Sequence, residues 1–294
     1  MIRDIEAKTL VTRVRGLDTY FGLDYGMNLY RGCQHHCIYC DSRSLCYGIE
    51  DFDGDVLVKA NAVDRLRDEL PRKRRRGIIG TGSMNDPYMP LEETVELTRR
   101  ALATIADFGF GVHVITKSDL VLRDLDILKR IGRTHRAIVS LTVTTIDDEL
   151  SGRIEPGAPA SSARFRALRR VRDAGIETRI ALMPILPFIE DTWENVCAIL
   201  DEARRSDVQA IVPWFGMSMR DRQRAHFYAR LDALFPGLRS RYEAAFGDDY
   251  MCPSPNAKDL FARFTEQCDD YGIATSVEPS LVRQDVQLPL FGDS

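Results

Sequence analysis

Short, nearly unbroken apolar runs alternate along the chain with amphipathic stretches. Runs at 26–30, 78–82, 112–116, 137–144, 178–186 and 210–214, several rich in β-branched residues, predict strands buried on both faces. Between them the period lengthens. After Pro90, residues Leu91, Val95, Thr98, Leu102 and Ile105 share one helical face, with Glu92 and Glu93 in the first turn, where the helix dipole favours negative charge; one continuous helix is predicted. From Asp119, residues Leu122, Leu125, Leu128 and Ile131 predict a helix stopped by Gly132. Phe165, Leu168 and Val171 form a further stripe ending at Ala174-Gly175, and Thr192 is placed to cap a helix carrying Trp193, Val196, Cys197 and Leu200.

Alternating strands and helices imply right-handed βαβ units around a parallel sheet. Six units make an α/β fold, an open partial (βα)6 barrel of TIM type, because residues 220–294 read as mostly helical and supply no seventh and eighth strand. The expected division is an N-terminal extension over 1–25, the barrel over 26–218, a helical extension packed on it over 219–283, and a tail over 284–294. In such folds ligands bind at the carboxyl ends of the strands, so chemistry is expected directly after each apolar run.

Composition narrows the function classes. The 294 residues are 44% hydrophobic and 29% charged, which excludes a disordered or collagen-like chain. A formal charge of −4 argues against a protein that coats nucleic acid electrostatically, although a local basic groove is compatible with it. No apolar run of membrane-spanning length occurs and the start has no apolar signal segment, so a cytoplasmic protein without membrane contact is expected. Four of the seven cysteines fall between Cys33 and Cys46, and a local cluster of this kind reads as a metal site rather than a disulfide framework.

That cluster follows the first predicted strand as Arg31-Gly32-Cys33-Gln34-His35-His36-Cys37-Ile38-Tyr39-Cys40. Three thiolates spaced C-x3-C-x2-C can converge on a metal centre and leave one position without a protein ligand. An iron–sulfur cube held at three irons fits this, as does a structural zinc completed by Cys46, His35 or His36. The loop, with Tyr39 before the last cysteine, resembles the signature of radical S-adenosylmethionine enzymes, and in finer features the spore photoproduct lyase-like (DNA repair photolyase-like) branch. The resemblance implies a [4Fe-4S] cluster on Cys33, Cys37 and Cys40. It further implies S-adenosyl-L-methionine bound at the open iron and cleaved to a 5′-deoxyadenosyl radical, and a reductant such as flavodoxin or ferredoxin.

The same resemblance assigns cofactor contacts to Tyr39, Ser83, Asn85, Asp86, Lys117 and Ser140. Read alone, the stretch from Gly80 to Tyr88 offers small residues for close backbone approach and polar partners, or a turn capping the next helix. Lys117 ends a buried strand and needs a partner there, Ser140 could equally be a satisfied core hydroxyl, and Glu155 with Arg164 could pair at the site mouth or on the surface. The branch pattern also breaks. Met84 stands where spore photoproduct lyases carry a hydrogen-donating Cys, and Asp41 where they carry a Tyr, which argues against spore photoproduct as the substrate. Tyr88 and Cys46 are the residues left as substitutes. The basic run 72–76 could touch phosphates or form a solvated face. Near the end, Gln287, Leu288, Leu290 and Phe291 resemble the short peptide by which bacterial replication and repair proteins dock on the sliding clamp; packing on the barrel is the other reading. The expectation is thus a radical enzyme acting on a DNA lesion or nucleotide. The alternatives are a non-catalytic DNA-transaction accessory protein with a structural metal site, or a radical enzyme acting on a peptide.

Overall fold

The computed structural model describes residues 1–16 and 18–276. The strands are β1 (Ile2–Ile5), β2 (Thr12–Arg13), β3 (Tyr25–Met27), β4 (Tyr30–Arg31), β5 (Val56–Lys59), β6 (Ile78–Thr81), β7 (Gly111–Thr116), β8 (Ala137–Thr142), β9 (Glu177–Leu182), β10 (Ala210–Pro213), β11 (Gly216–Ser218) and β12 (Met251–Pro253). The helices are α1 (Ala62–Glu69), α2 (Glu92–Val95), α3 (Leu97–Asp107), α4 (Leu125–Thr134), α5 (Asp148–Ile154), α6 (Ser161–Asp173), α7 (Trp193–Arg205), α8 (Asp221–Leu234), α9 (Leu238–Phe246) and α10 (Ala257–Tyr271). The main sheet runs β10-β9-β8-β7-β6-β3-β2, and its first six strands are parallel, each beside its predecessor among them. This is the expected six-unit parallel array, with β2 added antiparallel to β3 at one edge. Nearly every residue of β6 to β10 is buried, because helices cover one face and the barrel interior fills the other.

Three sequence expectations change in detail. The first apolar run splits, β3 joining the main sheet and β4 pairing with β5 in a small separate sheet. The helix after Pro90 is broken at Glu96, which has φ 51°. The break is held by Glu92, whose fully buried carboxylate accepts the Thr98 amide at 2.7 Å, the Tyr30 hydroxyl and the Arg123 guanidinium. Gly132 does not stop its helix; α4 continues to Thr134, and the segment before it, Asp119–Asp124, is a 3-10 helix. Two caps are as read: Thr192 accepts the Asn195 amide, and Gly175 takes a φ of 77° after α6.

The extension after the barrel is not purely helical. β11 and β12 form an antiparallel pair whose Met217 and Cys252 share an apolar cluster with α8 and α9, while α10 packs on α7. Phe227, Tyr242 and Phe246 of this extension share one apolar cluster with Cys37, Ile38 and Tyr39, so the extension packs directly on the cysteine loop. The basic run 72–76 enters β6 at its amino end, the rim opposite the carboxyl ends where a ligand would sit. Lys73 lies over the Tyr25 ring there and donates to the Val11 carbonyl. Residues Gln287 to Phe291, with the docking peptide, lie outside the described residues.

Candidate active site at the carboxyl ends of the strands

The cysteine loop leaves β4 through Gly32, whose φ of 85° and tight approach to the Asp55 carbonyl leave no room for a side chain: a Cβ would lie 2.3 Å from that oxygen. The loop then lines a cleft of about 830 Å³, open to solvent, together with the residues that follow the parallel strands. Ser83 to Asp86 come after β6, Thr116 and Lys117 close β7, Thr142 ends β8, Pro184 follows β9 and Trp214 follows β10. The chemistry does cluster directly after the apolar runs.

Cys33, Cys37 and Cys40 all line this cleft. Burial pushes the Cys33 thiol up to about 12, with Asp86 and Cys40 adding to the effect, and burial likewise raises Cys37 and Cys40. Three thiols that resist ionisation beside one another form a site that a multiply charged cation would compensate, because metal binding displaces their protons. Cys46 is exposed and lies off the cleft lining, which removes it as a fourth ligand. His36 faces Asp53 at 3.1 Å. His35 has Nδ1 2.8 Å from the Gly157 carbonyl and Nε2 3.1 Å from Asp86, so neither histidine is directed at the thiols. Among the described residues no three His, Cys, Asp or Glu side chains are grouped to hold a single metal ion.

Asp86 and Asn85 divide the work of the loop after β6. Asp86 accepts from the Thr116 hydroxyl at 2.5 Å, the Lys117 amide at 2.7 Å and the Tyr88 amide at 2.9 Å. Burial alone would raise this carboxyl; His35 and these donors hold it down at about 2. Its oxygens are thus occupied by the protein, and it ties the ends of β6 and β7 to the cysteine loop. Asn85 donates to the Tyr30 carbonyl at 2.6 Å, but its Oδ1 is buried with no partner, an acceptor waiting for a donor. Gly82, with φ 98°, brings backbone against backbone here, since a Cβ would lie 1.9 Å from the Ile115 carbonyl. An orphan acceptor and a side-chain-free wall beside the thiols fit the amino end of S-adenosylmethionine.

Lys117 reaches into the cleft with Nζ 3.8 Å from Glu155 and 5.7 Å from the Tyr39 ring centre. Burial would lower its pKa, but Cys37 and Glu155 raise it, so the ammonium stays charged. Glu155 also binds Arg164 at 2.5 Å and accepts the Tyr39 hydroxyl. Both Glu155 and Arg164 are fully buried, so the pair belongs neither to the surface nor to the mouth. It braces the wall behind Tyr39.

Some sequence-predicted residues are not brought together. Ser140 is two residues short of the end of β8, buried, and 2.6 Å from His113 Nε2, while His113 Nδ1 lies 3.1 Å from the Phe21 carbonyl. Burial lowers the His113 pKa to about 3, so the neutral ring accepts the Ser140 proton, and this hydroxyl is a satisfied core group rather than part of the cleft lining. Tyr88 is wholly buried and donates to Asp124 at 3.0 Å, also away from the cleft. Conversely, Tyr47, Trp214, Met217 and Ser218 line the cleft without having been singled out for it, and His35 and Asp41 line it as well. Asp41 is held by Arg220 at 2.5 Å and by the Tyr47 hydroxyl at 3.0 Å.

The model of the radical SAM superfamily matches residues 27–209. An uncharacterised protein of Mycobacterium tuberculosis is 30% identical over 237 residues, spanning 78% of this chain and 69% of that protein. An uncharacterised protein of Methanocaldococcus jannaschii is 36% identical over 172 residues, 58% of this chain and 63% of that one. In fold, the chain is similar to a spore photoproduct lyase variant with bound AdoMet and dinucleoside spore photoproduct. The TM-score is 0.68 at 15% identity, covering 93% of this chain and 81% of that one.

Proposed function

The chain belongs to the radical SAM superfamily and is an enzyme, and from that premise we propose that Cys33, Cys37 and Cys40 carry a [4Fe-4S] cluster, that S-adenosylmethionine binds beside it, and that the substrate is a damaged base or nucleotide. The chemistry supplied on binding is reductive cleavage of the sulfonium to methionine and a 5′-deoxyadenosyl radical that takes a hydrogen atom from substrate. The observation that carries the reading is the convergence of three thiols, the unpartnered Asn85 acceptor and the Gly82 wall on one cleft. A non-catalytic accessory protein would have no use for that arrangement.

The chain's own residues bind, orient and exclude water. Asn85 Oδ1 would accept from the cofactor's amino group, and Ser83, exposed at the rim, would offer a second partner. Asp86 keeps the strand ends and the cysteine loop in register through Thr116 and His35. Lys117 sets a positive charge beside the thiols and can meet a carboxylate, while Glu155 and Arg164 keep its partner Tyr39 fixed. Trp214, Met217 and Pro184 form an apolar outer wall that displaces water from the reacting atoms.

Support for a nucleic-acid substrate comes from the fold shared with a lyase that holds a dinucleoside and from the tail peptide around Leu290. Spore photoproduct itself is not proposed, since Met84 lies in the cleft and its thioether carries no transferable hydrogen. A flavodoxin or ferredoxin is the expected electron donor, and the sliding clamp the expected tail partner. The test is anaerobic: iron–sulfide reconstitution, reduction, addition of S-adenosylmethionine, and chromatography for 5′-deoxyadenosine. Cluster-dependent product is expected, and Ala at Cys33, Cys37 or Cys40 should abolish both iron loading and product. A colourless zinc protein that makes none overturns the reading. Deletion of the last eight residues should remove clamp binding in a pull-down and leave cofactor cleavage intact.

A further inference from the structure

We propose that Tyr47 is the hydrogen-atom donor of this cleft, the side chain that ends a radical reaction by giving its phenolic hydrogen to a carbon-centred radical. This rests on the radical reading above. A carbon radical held in a protein cleft is quenched by the weakest X–H bond in reach, which is a thiol or phenol rather than an alcohol, an alkyl C–H or water. Among the described residues that line the cleft, the thiols are Cys33, Cys37 and Cys40, already assigned to the cluster, and the phenols are Tyr39 and Tyr47. Tyr39 turns its hydroxyl away, to Glu155. Tyr47 is half-buried, its hydroxyl donating to Asp41 at 3.0 Å and accepting from Arg220 Nη2 at 3.1 Å.

The surroundings of Tyr47 suit that role. The Arg220 guanidinium lies 5.4 Å from its ring centre and 5.1 Å from that of Tyr250, so one fixed cation packs on the Tyr47 ring while its hydroxyl is anchored by the two hydrogen bonds to Asp41 and Arg220. Burial and the Asp41 carboxylate push the phenol up to about 12, which keeps the hydrogen in place throughout the neutral range. Tyr88 and Cys46, the substitutes suggested by sequence, fail on position: one is buried with its hydroxyl bound to Asp124, off the cleft lining, and the other is exposed outside that lining.

The step balances as one homolysis and one bond formation. The O–H bond of Tyr47 breaks, a C–H bond forms, and the unpaired electron moves to the phenoxyl oxygen while Arg220 keeps its hydrogen bond. One electron, from the same flavodoxin- or ferredoxin-class donor that reduces the cluster, and one solvent proton then restore the phenol.

The test uses the reconstituted full chain in D2O with S-adenosylmethionine and no added substrate, so that the exchanged phenol is the deuterium source. The readout is the deuterium content of each 5′-deoxyadenosine formed, with freeze-quenched EPR alongside. Wild-type product is expected to carry one deuterium, and Tyr47→Phe to lower that content about fivefold, the fraction reporting partition between hydrogen sources rather than rate. Tyr250→Phe, outside the cleft, should label like wild type. In EPR a tyrosyl signal should appear in wild type and narrow when the protein is made with ring-deuterated tyrosine; this arm needs no variant to fold. Unlabelled wild-type product, unchanged labelling in Tyr47→Phe, or no tyrosyl signal overturns the assignment and leaves the radical reading standing. Absence of 5′-deoxyadenosine altogether overturns that reading, and the assignment with it.

Discussion

At position 155 a fully buried carboxylate meets a guanidinium, an ammonium and a phenol, and its removal tests how much the cysteine loop depends on the wall behind it. Glu155→Gln leaves Arg164 charged and buried without its counter-ion, which should cost about 3–5 kcal/mol in a urea titration of the folded protein. Glu190 is the opposite case. It is buried, its Oε1 has no partner, and its carboxyl is pushed up to about 8 by burial, despite donors from Thr144 and the Leu186 amide. In the unfolded chain a glutamate titrates near ~4.3, so the folded state holds the proton more tightly. The stability this gives is complete below the unfolded value and is lost as pH rises through about 8. Between pH 5 and 9 the wild type should therefore lose ~2 kcal/mol or more relative to Glu190→Gln, read from paired denaturation curves. At this scale the placing of Cys33, Cys37 and Cys40 on one cleft was legible because their spacing is local. The partners of His35 and Asp41 were not, because each is far along the chain, and the choice between the two readings of Ser140 rested on His113 of the neighbouring strand.

Among the elements, the parallel strands were legible from their β-branched apolar runs, and the helix caps at Thr192 and Gly175 from residue chemistry. What escaped was the break at Glu96. The apolar stripe continues through it, so periodicity carries no sign of it, and the signal lies in the Glu92 carboxylate that captures the Thr98 amide. Gly132 likewise looks like a terminator but stays helical, since a single Gly costs a helix only about 1 kcal/mol and packing of Leu128 and Ile131 outweighs it. Two predictions belong here. Thr192→Ala should lower stability by about 1 kcal/mol through the lost cap of α7, measured by thermal or chemical denaturation. Gly82→Ala should destabilise by more, at least ~2 kcal/mol, because both the left-handed backbone and the clash with the Ile115 carbonyl oppose a Cβ, with loss of cofactor binding in equilibrium dialysis.

Across the whole molecule, the site is a joint product of barrel and extension. Gln223 donates to the Tyr39 carbonyl at 3.0 Å, Arg222 to carbonyls of Arg43, Ile49 and Glu50, and Arg220 to Asp41 and Ser44. Four consecutive residues, 220 to 223, with the Asp221 carboxylate taking the Leu45 amide, thus grip the stretch from Tyr39 to Glu50, which includes Cys40. Sequence patterning announced the helices that follow the barrel but could not announce this grip, which pairs residues 172 to 184 positions apart. A chain ending at residue 218 should therefore keep its parallel sheet but expose the apolar faces of Ile38 and Tyr39 and take up iron poorly, as read by circular dichroism and metal analysis. The same grip has a consequence in time. A ribosome releases the three cysteines long before it reaches Arg220, and closing so long a loop is slow. During synthesis the thiols are thus presented on an unfastened segment until residues 220 to 223 have emerged and docked. A metal centre carried by these thiols would be secured only after that docking, and a chain stalled before residue 220 would offer iron a place to stick but none to stay.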